Sequence, residues 1–292
     1  MHLLDTFLDY LPAWPVSMVF VSAILAGIFS ILTMTRAASW LLLFSLCSAW
    51  LTGVVTLAGL ASSLLMIGLA AGFQRAQTIA MSCISGMSLF VVAVLALLHA
   101  LPGFHNPMLF DGVQISAISL PYSLYLNYDK LLLAVVLLLF VVPVARPVSL
   151  KALSGYIGGF ALLSGLCLTI ALQSGLVRVE LKLPEITLLW ILCNLWVTCF
   201  AEEAFFRGFI QQQMQGWLKR PYWPWLVVVI SGGLFGLAHF PAGASYVLIA
   251  TLLGSYYAYC YQRSQHILLP IGLHFGFNCL HFFAFSYPLL QP

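Results

Sequence analysis

Again and again this chain runs for about twenty residues without a charged side chain. Residues 81–101 hold no Asp, Glu, Lys or Arg, and comparable apolar runs occupy 14–34, 131–145, 150–173, 186–210, 223–240, 245–261 and 267–285. About 20 such residues carry a helix across the hydrocarbon core of a bilayer. The runs are continuous rather than alternating, which excludes membrane-spanning strands. Residues 38–73 are too long for one ordinary span, and Gly53, Gly59, Ser62 and Ser63 offer a break that would turn the run into a helical hairpin. The expected fold is all-α, a polytopic transmembrane helix bundle of eight to ten spans. Charged residues make up only 7% of the chain, against about 25% in a soluble domain.

Other readings are excluded by the same composition. A net charge of +3, scattered along the chain, leaves no footprint for nucleic acid. The seven cysteines all lie in apolar runs without a C-x-x-C pair, as expected of small buried hydrophobes rather than disulfides or metal ligands. Residues 1–13 carry two acids and no Lys or Arg, so the basic start of a cleavable leader is missing and the first span is expected to be a retained helix. Arg36, Arg75, Arg146, Lys151, Lys219, Arg220 and Arg263 fall on one side if 38–73 is two helices, which places the N-terminus outside. Residues 102–129 form the only long non-spanning segment. Their aromatics and prolines suit an interfacial connector, or a loop that guides substrate. The expected division is an N-terminal transmembrane region, 1–149, with no motif, and a C-terminal helical core, 150–292.

That core holds the acids that stand inside an apolar stretch. Glu202 and Glu203 lie in 196–210, together with Arg207, while the other acids sit near the N-terminus or in segments that read as loops. A carboxylate in hydrocarbon costs roughly 2.5 kcal/mol or more unless it is paired or wetted. Glu203 and Arg207 are four apart and can pair on one helix face. Glu202 points about 100° away, so one helix offers a held carboxylate and a free one, and such pairs divide structural from catalytic duty. Two more spans bring polar groups: His239 in one, and His274 with Asn278, again four apart, in the other. Counting about 1.5 Å per residue from a turn between Trp217 and Trp223 puts Glu202 and His239 level, and His274 somewhat shallower. Glycines at 208, 232, 233, 236, 272 and 276 suit close helix approach around a cavity.

A carboxylate, two histidines and an asparagine suit attack by water on an acyl carbon. Glu202 would be the general base, and His239 would hold the water. His274 and Asn278 would donate to the developing oxyanion, and Glu203 with Arg207 would fix the helix. No cofactor is required. The rival use is zinc on Glu202, His239 and His274 with an open water position, although no H-E-x-x-H occurs.

At these residues the chain resembles the CAAX prenyl endopeptidase and bacteriocin-processing (CPBP, or Abi) family of intramembrane proteases. The family hallmark E-E-x-x-x-R, F-x-x-x-H and H-x-x-x-N is matched by Glu202-Glu203-Ala204-Phe205-Phe206-Arg207, by Phe235 through His239 and by His274 through Asn278, in order and on separate apolar segments. The resemblance covers about residues 186–285. It implies an all-helical fold, a glutamate-activated water completed by the two histidines and the asparagine, and a membrane-associated peptide or protein substrate, prenylated or otherwise lipidated. The location it suggests is a bacterial inner membrane. Two rival functions stand beside it: a proton-coupled transporter, since intramembrane Glu, Arg and His also mark ion pathways, and a non-catalytic scaffold. His99, His266 and His281 carry no motif and are expected to be structural.

Overall fold

The computed structural model describes residues 2–143, 148–217 and 223–291. Arg146, Lys219, Arg220 and most of the turn expected between Trp217 and Trp223 lie outside these. The described chain is mostly helical, with helices α1 (His2–Tyr10), α2 (Trp14–Ile31), α3 (Thr35–Leu51), α4 (Leu57–Gln74), α5 (Ile79–Leu97), α6 (Tyr128–Phe140), α7 (Leu150–Gln173), α8 (Thr187–Gly216), α9 (Trp223–Leu237), α10 (Ala244–Ser264) and α11 (Leu268–Ala284). Five of these, α2, α4, α5, α7 and α8, are long and apolar enough to cross a membrane, while α9 and α11 are shorter apolar helices. The segment 102–129 is more than a connector: strands β1 (Met108–Val113) and β2 (Tyr122–Tyr125) pair within it. The contacts sort into two compact units. One is Met1–Phe110, Leu124–Val144 and Leu188–Gly208; the other is Asp111–Ser123, Ala145–Thr187 and Phe209–Pro292. The expected division at 149/150 differs from this grouping, because Leu188–Gly208 of the second half packs in the first unit.

The first unit is built around α6. Ten of its residues are buried, from Tyr128 to Leu138, and α2, α3, α4, α5 and the stretch Cys193–Glu203 of α8 pack against it. A helix apolar on every side is a core helix. At thirteen residues α6 is also well short of the usual span. Within the run 131–145, expected to be a span, residues 131–138 are therefore central core. Ser45 Oγ donates to Val19 O at 2.8 Å and lies 2.9 Å from Tyr128 Oη, tying α2, α3 and α6 together. The break expected in 38–73 falls between α3 and α4, where Gly53 takes φ +76°. Thr56 then caps α4 by accepting from Gly59 N at 3.4 Å. Gly59 lies inside α4, where the connector after α5 crosses it: an added Cβ would sit 2.8 Å from the Gly103 carbonyl carbon.

Asp129, expected in a loop, stands in the first turn of α6 and is 1% exposed. It accepts from Asn106 Nδ2 at 3.1 Å and Lys130 N at 2.8 Å, and pairs with His99 Nδ1 at 2.8 Å. His99 reaches it from the left-handed region, at φ +56°. This cluster joins the end of α5, the following connector and the start of α6. Replacing Asp129 with Ala strands its donors and should cost about 1.5–3 kcal/mol, the range for hydrogen bonds to a charged group. Denaturant unfolding in micelles measures this, and an unchanged midpoint would show that the cluster holds nothing.

In the second unit α9 and α10 run antiparallel and nearly touch. A Cβ at Gly232 would meet the backbone of Ser255 at 2.6 Å, and one at Gly254 would meet the Phe235 ring at 2.8 Å. Small residues allow such approach. Helix α7 and α11 pack against α10, around a core of Cys167, Ala171, Ile249, Leu253, Tyr257, Leu269 and Leu273. The C-terminal segment closes the unit. Its backbone bonds the connector after α7 (Ser286 N to Arg178 O and Leu290 N to Leu176 O, both 2.9 Å) and the hairpin loop (Gln291 N to Ile118 O, 2.9 Å). Lys182 donates to Phe285 O beside it. Loss of hydration lowers the Lys182 pKa, and Glu180 at 3.9 Å opposes the shift. Cys167, Cys193, Cys199 and Cys260 are buried as expected, whereas Cys47 and Cys83 are exposed on their apolar helices; all seven cysteines are free thiols.

Candidate active site

In the first unit the acids stand on a helix that is not regular. Within α8, residues Cys193–Cys199 and Ala204–Gln211 are π-helical and leave a four-residue α turn, Phe200–Glu203, between them. Interruptions of this kind are frequent at functional sites. They also upset depth counting, because a constant α pitch does not hold through 193–211. The pairing expected from the four-residue spacing is present: Arg207 Nη1 donates to Glu203 Oε1 at 3.1 Å, and both side chains have zero exposure. The Arg207 guanidinium also lies 5.8 Å from the centre of the Phe206 ring. Glu202 differs from its neighbour. It is half-buried, and its Oε2 is shielded with no hydrogen-bond partner among the described residues.

In the second unit the two histidine motifs meet through one phenylalanine. His239 ends α9 in the turn before the 3₁₀ segment Phe240–Ala242, and its Nδ1 lies 2.8 Å from Phe235 O, four residues back. That carbonyl is one of the helix-end acceptors left over by the helix itself. It can only accept, so Nδ1 carries the proton, and in the neutral ring Nε2 keeps its lone pair. The spacing F-x-x-x-H therefore sets the tautomer. The Phe235 ring packs on both histidines, 4.8 Å from His239 and 5.4 Å, edge-on, from His274. Two tyrosines of α10 complete the packing: Tyr246 stacks on His239 at 5.5 Å and Tyr257 on His274 at 5.5 Å.

These residues line one pocket of about 50 Å³. His239, His274 and Asn278 share it with Tyr246, Tyr257 and His281, and apolar side chains such as Leu168, Leu253 and Phe277 form the rest of its wall. His274 itself is buried. His281, expected to be structural, is thus a pocket residue as well. Its place one turn beyond Asn278 on the same face was the signal for it. Tyr246 and Tyr257 gave less warning, since aromatics at helical spacing read as ordinary core. His266 lines a separate apolar groove with Phe160 and Leu273. Among the described residues, no three His, Cys, Asp or Glu side chains are grouped as a metal cage.

Residues 184–280 match the family model described as type II CAAX prenyl endopeptidase Rce1-like. Neither the curated proteins nor the solved structures give a match. The matched stretch contains Glu202, Glu203, Arg207, His239, His274 and Asn278. Together with its apolar helices, the match makes the chain an integral membrane protein. Over this segment, about a third of its length, the chain is similar to the type II CAAX prenyl endopeptidases.

Proposed function

We propose that the chain is an intramembrane endopeptidase that hydrolyses a peptide bond with water activated by Glu202. The observation that carries this reading is the shielded Oε2 of Glu202, without a hydrogen-bond partner among the described residues. An acid left in that state inside an apolar helix has a free acceptor for a proton. Glu203, held by Arg207, keeps its helix in place and is the structural member of the pair.

The steps follow from the donor and acceptor inventory. Nε2 of neutral His239 accepts one O–H of the water, and Glu202 takes the other proton as the oxygen attacks the carbonyl carbon. Asn278 and His274 donate to the oxygen of the tetrahedral intermediate. When the C–N bond breaks, Glu202 returns its proton to the leaving nitrogen. The water oxygen and one hydrogen stay with the new carboxylic acid. The mostly apolar pocket wall favours a substrate with apolar residues around the cut. We take that substrate to be a membrane-associated peptide or protein, prenylated or otherwise lipidated.

No metal enters these steps; a bound zinc would supply a more acidic water. The test is hydrolysis of a lipidated reporter peptide by the full chain in bilayers, with and without a strong chelator. Cleavage that survives chelation supports the glutamate reading. Loss that Zn²⁺ alone restores would overturn it in favour of the metal.

A further inference from the structure

One pocket residue lies beyond both the family match, which ends at 280, and the steps above. His281 follows His274 by seven residues on α11, and with Asn278 the three line the pocket. Seven residues of helix rise about 10.5 Å. The pocket therefore runs along α11 from the histidine expected to act on the carbonyl to a second histidine near its far end. An extended peptide advances about 3.3 Å per residue, so this distance is about three residues of substrate.

The chemistry of the far end is set by the tail. His281 Nε2 lies 3.2 Å from Ser286 O. A carbonyl only accepts, so Nε2 carries the proton, and Nδ1 of the neutral ring is an acceptor. The ring is held by Tyr287, 5.0 Å away. Ser286 is held in turn: its N–H donates to Arg178 O at 2.9 Å and its Oγ accepts from Arg178 N at 3.0 Å. Leu176, Val177 and Leu289 belong to the apolar lining of the same pocket. A fixed acceptor in an apolar wall suits the one donor that every peptide repeats.

We propose that His281 orients the substrate by accepting a backbone N–H about three residues from the bond that is cut. This rests on the proteolytic reading for the identity of the ligand. Its role is positioning, so it should affect binding and leave the chemical step alone.

The probe is an acylated, leucine- and valine-rich decapeptide with a reduced, uncleavable central amide, N-methylated at one backbone nitrogen at a time. Its affinity for the full chain in bicelles is measured for the wild type and for His281→Phe, with His281→Leu as the second variant should the first not fold. In the wild type, methylation two to four residues from the reduced bond should weaken binding about three- to tenfold, the size of one net hydrogen bond. In His281→Phe the unmethylated probe should already bind that much more weakly, and the same methyl should add nothing. If no position is sensitive, or the sensitivity persists in both variants, the inference is overturned. Because binding needs no hydrolysis, this outcome is distinct from failure of the protease reading, which shows as an absence of Glu202-dependent cleavage of the reporter.

Discussion

Glu202→Gln should lower hydrolysis of the reporter peptide by about a thousandfold, within the range that a positioned general base contributes, and should leave folding unchanged. The substitution keeps the size and shape of the side chain and removes only its ability to take a proton. Glu203, one residue away, has its own partner in Arg207. Thermal unfolding should therefore move by no more than about 0.5 kcal/mol, as for a change that breaks no structural feature. The paired measurement separates the rival functions. A scaffold would show no Glu202-dependent cleavage at all, and a proton-coupled carrier would lose transport instead. Activity that persists in Glu202→Gln would sink the general-base assignment whatever else the pocket does.

Arg207→Met should have the largest effect on stability. Both partners of the Glu203–Arg207 pair have zero exposure, and removal of the guanidinium takes the facing charge away from a buried carboxylate. Breaking a buried pair in this way costs about 3–5 kcal/mol, a large share of the roughly 5–15 kcal/mol that holds a typical native state. The variant should unfold at markedly lower denaturant or temperature, and lose activity with its fold. The informative control is Glu203→Leu combined with Arg207→Met. Two apolar side chains need no desolvation, and replacing a buried pair outright is often neutral. The double variant should recover part of the stability lost in the single one. A single variant as stable as the wild type would show that the pair is not what anchors this helix.

The parts of the site that were legible beforehand are those set by neighbours along one helix. Glu203 and Arg207 pair because residues four apart share a face. The break near Gly53 was legible too, since a chain that must reverse inside an apolar run needs a residue that tolerates positive φ. The π-helical turns of α8 left no trace in spacing or composition. His281 stands one helical turn past a motif and reads as structural from sequence, because its place on that face alone does not tell a pocket-facing histidine from a packed one. Asp129 was misplaced for a related reason. Its partners His99 and Asn106 lie 30 and 23 positions away, and it looked like a loop acid until they were brought to it.

Residue order alone settled that this chain is helical and built for a membrane, and it marked Glu202, His239, His274 and Asn278 for one chemistry. The first is a matter of hydrophobic length, the second of short motifs whose residues each lie within one or two helical turns. Only the tertiary structure decided which apolar helix is core and which faces outward, since 131–145 reads like any other run and yet α6 is buried on every side. It also decided that the tail fixes the His281 ring and that Phe235 joins two histidines 35 residues apart in number. An apolar side chain gains equally from lipid and from a protein neighbour, so hydrophobicity cannot choose between them; packing does.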